Sequence, residues 1–282
     1  MSILRVLGIT GALAALLAVG CAGADQPGGT PPGATATSTP TTAGGPAGSD
    51  GEMTAVYEPA ESPEAVQGRQ LLEEAGLLEE LADEATAMLR LPQDVPLVGR
   101  ECGEANAFWD IDDRELVLCY EDAALGMTVF ADDPDPRAST LGAVRATFYH
   151  ELGHAVIDLY DLPFTGREED VADQLAAVLL LETYDDRDID PEDLAAAQAY
   201  ARMFAADEDG VEDFPFWDVH EYDLARMYNL QCWIYGADPQ GNAFVVEQEL
   251  LPAERADSCP DEFDRMARAW DELLGPYLRT DE

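Results

Sequence analysis

Residues 148–176 read FYHELGHAVIDLYDLPFTGREEDVADQLA. The segment sets His150 and His154 four apart with Glu151 directly after the first, then a short loop and an acidic second run. A helix turns about 100° per residue, so the two imidazoles stand one above the other on a single face. Neutral imidazole nitrogens at that spacing can take two corners of a zinc tetrahedron, at about 2.0–2.1 Å. Glu151, one residue round, can reach a water on such a metal without being a ligand, which suits it to general-base work. Residues 147–156 hold no charged side chain except Glu151, as a buried helix requires. Gly153 costs that helix up to about 1 kcal/mol relative to alanine, which points to close approach of a neighbouring element. The same spacing also occurs on ordinary helices, so a third ligand has to decide.

That ligand is sought in GREEDVADQLAAVLLL, residues 166–181, which begins twelve residues past His154. The loop DLPFTG is short enough to make this helix an antiparallel neighbour of the first. Glu169, Ala172, Asp173 and Ala176 share one face, and the alanines permit tight packing. Glu169 is placed to be the third ligand, with Glu168 and Asp170 as alternatives, because one residue of register decides among them. Asp173, one turn on, can accept the other N–H of a ligand histidine. Taken alone, Glu168-Glu169-Asp170 is also an ordinary negative first turn favoured by the helix dipole.

With those residues in place, the chain resembles the gluzincin branch of zinc metallopeptidases, to which thermolysin belongs. It resembles more closely a family of uncharacterised bacterial proteins grouped as metallopeptidases on this motif. The stretches that carry the resemblance are NAFWD (106–110), LCYED (118–122), residues 148–176 and CWIYG (232–236). The resemblance covers most of residues 95–260. It implies a zincin-like fold in which one sheet edge holds extended peptide beside the metal, one zinc per chain, and His150, His154 and Glu169 as ligands with Asp173 behind them. The gap to Glu169 is shorter than in thermolysin. The activity implied is hydrolysis of peptide bonds in a peptide or protein substrate. The alternative is an inactive zinc-binding lipoprotein of the cell envelope with a binding or assembly role, and a third possibility is a metal-free structural domain.

The third histidine, His220, lies in FPFWDVHEYDLARMYNLQCWIYG. A helix over 218–235 would put it on one face with Leu224, Met227 and Gln231, where it could stabilise an oxyanion opposite the zinc as a second catalytic group. The other reading is a core histidine paired with Asp223 or Glu221. Tyr149 and Tyr228 are weaker candidates for the same work.

The surroundings of this domain are legible at the N-terminus. Residues 1–21, MSILRVLGITGALAALLAVGC, show one early Arg5, an apolar run and small residues before Cys21, the layout of a secretory signal. Its end resembles a bacterial lipoprotein signal, in which Cys21 is lipidated and anchors the mature chain outside the cell membrane. Residues 22–55, rich in Gly, Pro and Thr, read as a disordered tether, spanning on the order of 30 Å. The remaining 56–282 form one domain. With 58 acidic residues against 15 basic ones, nucleic acid is excluded as a partner. Asp186, Asp188 and Asp190 alternate as in an EF-hand, but Pro191 and Ala197 occupy the positions that need Gly and Glu. Cys102, Cys119, Cys232 and Cys259 read as two disulfides in an exported chain, paired Cys102–Cys119 and Cys232–Cys259.

The rest of the map is an α+β order, a small sheet followed by a mainly helical part that carries HELGH. Residues 62–90 read as one or two helices opened by Ser62-Pro63. VPLVGREC, NAFW, RELVLCY and MTVFAD, within 95–132, read as strands. Helices follow at 139–160, with Ser139 as N-cap, at 167–183, at 191–205 behind Asp190-Pro191, and at 218–235. A last one, 261–274, sets Phe263, Met266, Trp270 and Leu273 on one face.

Overall fold

A computed structural model describes residues 50–181, 188–206, 217 and 219–279. The signal segment with Cys21, the tether as far as residue 49, and Asp186 lie outside the described residues. The elements in chain order are β1 (Met53–Tyr57), α1 (Pro63–Ala75), α2 (Leu77–Met88), β2 (Val95–Arg100), β3 (Ala107–Asp110), β4 (Glu115–Cys119), α3 (Tyr120–Val129), α4 (Pro136–Tyr160), α5 (Glu168–Leu181), α6 (Pro191–Ala205), α7 (Asp223–Ala237), the short α8 (Phe244–Glu247) and α9 (Ala253–Ala256), and α10 (Cys259–Leu274). This is the expected α+β arrangement, a four-stranded mixed sheet followed by helices in a single domain.

The sheet order is β1-β2-β4-β3. β1 and β4 run parallel to β2, while β3 pairs antiparallel with β4, from Ala107 opposite Leu118 to Asp110 opposite Glu115. β3 is therefore a free edge, and the turn after it lets Arg114 adopt a positive φ of 52°. β1 was not expected, and the boundary read at 55/56 cuts through it. It is a short edge strand directly after the Gly-rich stretch, and its register from Met53 opposite Val95 to Tyr57 opposite Gly99 depends on pairing that no local pattern announces.

Two local expectations are corrected. MTVFAD is not a strand: Met127, Thr128 and Val129 end helix α3. That helix starts where β4 stops, and tertiary packing overrides the β-branched pair. Gly126 lies against the Thr140 side chain, and Gly68 of α1 lies against the Tyr120 carbonyl, with no room for a Cβ at either point. The cap of α4 is Asp135, whose side chain accepts from the Ala138 N–H at 3.0 Å, and Pro136 takes the first helical position. Ser139 lies inside that helix and donates instead to Asp133. Residues 62–90 divide into α1 and α2 at Gly76, which has a φ of 66°. The expected pairings Cys102–Cys119 and Cys232–Cys259 are both formed. The first ties the loop before β3 to the end of β4, and the second ties α7 to α10.

The central packing event is α4 against α5. Most of α4 from Phe148 to Ile157 is buried, and a Cβ at Gly153 would lie 2.9 Å from the Ala172 Cα. The absent side chain is what lets the two backbones approach. We expect Gly153→Ala to lower stability by about 1–3 kcal/mol through overpacking, despite the better helix propensity of alanine. Gly275→Ala, where a Cβ would meet nothing within 4 Å, should stay within about 0.5 kcal/mol of the parent. Urea unfolding of the two variants side by side checks the pair, and a Gly153→Ala protein as stable as the parent contradicts the close approach.

Candidate metal centre

The approach of α4 and α5 brings His150, His154 and Glu169 to one point. Their ligand atoms all lie within 4.8 Å of one another. The His150 and His154 Nε2 atoms are 3.3 Å apart. Glu169 Oε2 is 3.3 Å from the first and 3.4 Å from the second. A tetrahedral zinc with ligand bonds of about 2.0–2.1 Å has edges of about 3.3–3.4 Å, so the three separations describe one face of such a tetrahedron.

Each imidazole is held from behind. Asp173 Oδ1 lies 2.8 Å from His150 Nδ1, and Glu168 Oε1 lies 2.9 Å from His154 Nδ1. A carboxylate at Nδ1 fixes the proton there and leaves the Nε2 lone pair facing the cluster. Glu169 Oε2 is buried and makes no hydrogen bond of good geometry. Two imidazole lone pairs and an unsatisfied carboxylate oxygen facing one another call for a cation between them. Burial opposes charge on His150, yet the surrounding carboxylates, Asp173 foremost, hold it up to about 9. Burial likewise works against an ionised Glu169, but the imidazoles hold its carboxyl far below the usual range. The field that draws a proton to this point draws a divalent cation there as well, and the donor set suits zinc.

Asp173 is 3 % exposed and takes more than the histidine. Arg226 donates to both of its oxygens, Nε to Oδ2 and Nη2 to Oδ1, each at 2.8 Å. The Tyr200 hydroxyl donates to Oδ1 at 3.1 Å. Burial alone would raise the Asp173 carboxyl, but the Arg226 charge and then His150 hold it well below the ordinary carboxylate range. Neither Arg226 nor Tyr200 was singled out in the sequence. One signal was available: Arg226 is the only arginine or lysine between positions 203 and 254, and it sits in a helix rich in apolar residues.

Glu151 is 6 % exposed, with Oε1 4.0 Å from His150 Nε2. Burial raises its carboxyl above the usual range, although the His150 and His154 imidazoles and, least of all, the nearby Trp109 backbone on the free edge of β3 pull the other way. It faces a cavity of about 520 Å³ whose wall includes Asn106, Asp122, Tyr200 and Arg226. A second cavity of about 350 Å³ lies beside His154 and Glu169.

His220 is not on a helix. Tyr222 has extended backbone with ψ 131°, so α7 begins only at Asp223, and Leu224 is exposed. The expected inward face with Leu224, Met227 and Gln231 therefore does not form. His220 instead stands in the bend before α7, half exposed, with Nε2 3.2 Å from Glu169 Oε2, and it also lines the larger cavity. Glu168 occupies the rear of His154, and Asp170 faces a different cavity with Gln174 and Asn229. Tyr149 donates to Glu84 of α2, and Tyr228 is exposed.

A family model described as “Putative metallopeptidase” matches residues 57–274. The chain belongs to that family. The match runs from the last residue of β1 to the end of α10, so the metallopeptidase-family region takes in strands β2, β3 and β4, the helical array and the cluster between α4 and α5. No curated protein and no solved structure matches the chain.

Arg226 and Asp173 form a buried ion pair, and removing one partner of such a pair leaves an uncompensated charge. We expect Arg226→Met to destabilise the fold by about 3–5 kcal/mol, read as a shifted midpoint in urea. A variant as stable as the parent would mean that His150 and Tyr200 suffice to hold Asp173.

Proposed function

We propose that this chain is an exported zinc metallopeptidase, held at the outer face of the cell membrane through lipidated Cys21 and the tether 22–55. The observation that carries the proposal is the match between the three ligand separations and a zinc tetrahedron, with Glu151 buried alongside. His150, His154 and Glu169 would hold one zinc ion, with Asp173 and Glu168 fixing the two rings by their Nδ1 atoms. Zinc in this place supplies Lewis acidity, polarising the scissile carbonyl and acidifying water.

The other parts of the reaction fall to the chain's own residues. Glu151 accepts the proton of the attacking water at its carboxylate, then delivers it to the amine nitrogen as the C–N bond breaks. Its raised proton affinity suits both halves of that transfer. The β3 edge near it is where an extended substrate would lie, as the zincin resemblance implies. His220, beside Glu169 at the rim of the cavity, is placed to donate to the carbonyl oxygen as negative charge gathers there. The reading as an inactive zinc-binding lipoprotein leaves Glu151 without a role: a purely structural zinc site has no need of a buried carboxylate that neither binds the metal nor holds a ligand ring.

The full chain, produced without a histidine tag, should carry one zinc, and His154→Ala should carry none. Glu169→Ala should lose metal and activity together. Glu151→Gln should keep the zinc while turnover of a peptide library falls by about 10²-fold or more. Full activity in Glu151→Gln sinks the mechanism, and a folded parent that takes up no zinc sinks the metal centre.

A further inference from the structure

We propose that the cavity beside Glu151 selects peptides that carry a cationic group, an arginine or lysine side chain or a free amino terminus, and that Asp122 is the residue that selects it. This rests on the peptidase reading only in taking that cavity as the place of the substrate. Asp122 lies in the first turn of α3, where an acid ordinarily serves the helix end or the preceding loop. Its neighbour Glu121 does that work, accepting from the backbone N–H groups of Cys102 at 3.1 Å and Gly103 at 2.7 Å. Asp122, one residue round, lines the cavity instead. Among the described residues it has no hydrogen bond and no ion pair.

Among the described lining residues, the groups that could carry positive charge face other carboxylates. Arg226 donates to both oxygens of Asp173, His150 is held by Asp173, and His220 stands against Glu169. Burial, and after it the like charge of Glu151, pushes the Asp122 carboxyl up to about 7. A carboxylate without a counter-charge in such a place is held at a cost, and a ligand cation would offset it. The remaining wall fits the stem of that ligand. Leu125, Val129, Met203 and Phe204 offer apolar surface on which a lysine or arginine chain lays its methylenes while its head reaches a carboxylate. The chain as a whole, with 58 acidic residues against 15 basic, attracts cationic peptides toward the opening.

The test uses the full-length, zinc-loaded Glu151→Gln chain, so that binding is read without turnover. Fluorescent peptides of one sequence are compared by anisotropy: N-acetylated with arginine scanned through each position, N-acetylated with norleucine throughout, the norleucine peptide with a free amine, and N-acetylated with glutamate. At least one cationic peptide should bind about tenfold or more tightly than acetyl-norleucine. The peptide that gains shows whether a side chain or the amino terminus is seated. Adding Asp122→Asn should bring the ratio close to one, and Asp122→Lys should shift preference to the glutamate peptide, with melting curves confirming that both variants fold. A parent with no cationic preference overturns the proposal, as does a preference that survives intact in Asp122→Asn. The chain with Glu151 restored separates this from the peptidase reading. Cleavage without cationic preference leaves that reading and removes this one, whereas Asp122-dependent binding with no cleavage of any peptide does the reverse.

Discussion

Asp173 sits where four helices meet, and its two oxygens take hydrogen bonds from His150 of α4, Tyr200 of α6 and Arg226 of α7. An ionised carboxylate at that depth costs several kcal/mol in lost hydration, repaid only when its lone pairs are filled with good geometry. Here they are filled from three directions. The guanidinium of Arg226 also lies over the Phe204 ring, 4.1 Å from its centre, which holds the donor fork in place. The same oxygen that satisfies this network fixes the proton on His150 Nδ1. The residue that locks the helices together is therefore the one that orients a proposed ligand, so the geometry of the centre and the packing of the domain are a single arrangement.

This coupling explains what was legible in the sequence. The HELGH helix, the acidic helix after it and the Asp190-Pro191 start of α6 all announce themselves locally, by spacing, by a cap or by a first-turn proline. The meeting of Glu169 with two histidines follows from a short loop and a face of small residues, so it too could be read. The network behind Asp173 could not: Tyr200 and Arg226 belong to helices 27 and 53 positions away, and only the packing of α6 and α7 brings them in. His220 was misplaced for a related reason. Its stretch has helical spacing, but the extended backbone at Tyr222 ends that pattern before the histidine is reached. MTVFAD failed in the opposite sense, since strand-like residues were taken into a helix by its fit against α1 and α4.

The charge balance of the chain has two scales. At long range, a formal net charge of −43 makes a field that draws cations of every kind and repels polyanions. At short range the arginines are matched to carboxylates pair by pair, one of the pairs buried and the others nearer the surface. Asp173 has Arg226, Glu84 has Arg145, Glu58 and Glu115 share Arg100, and Asp133 has Arg202. With so few arginines, the places where a carboxylate is left without one are informative. Glu169 is one, facing the imidazoles, and Asp122 is another, facing the cavity. The acidity that keeps the surface hydrated thus leaves carboxylates without an arginine at the centre, Glu169 and Asp122 among them, where cations of different kinds would bring the balance back.

The consecutive pair Glu168-Glu169 shows how the short gap after HELGH is accommodated. Neighbouring helical residues diverge by about 100°, so two adjacent carboxylates on the first turn of α5 can approach opposite sides of the same imidazole. Glu168 reaches His154 at Nδ1 and Glu169 reaches it near Nε2. This is possible only because α5 runs so close to α4, and that closeness is set one turn further along, where Gly153 lies against Ala172. A larger residue at either position would move the first turn of α5 outward and carry both glutamates with it. The glycine that weakens the helix locally is therefore what permits the proposed ligand set to close over so short a loop.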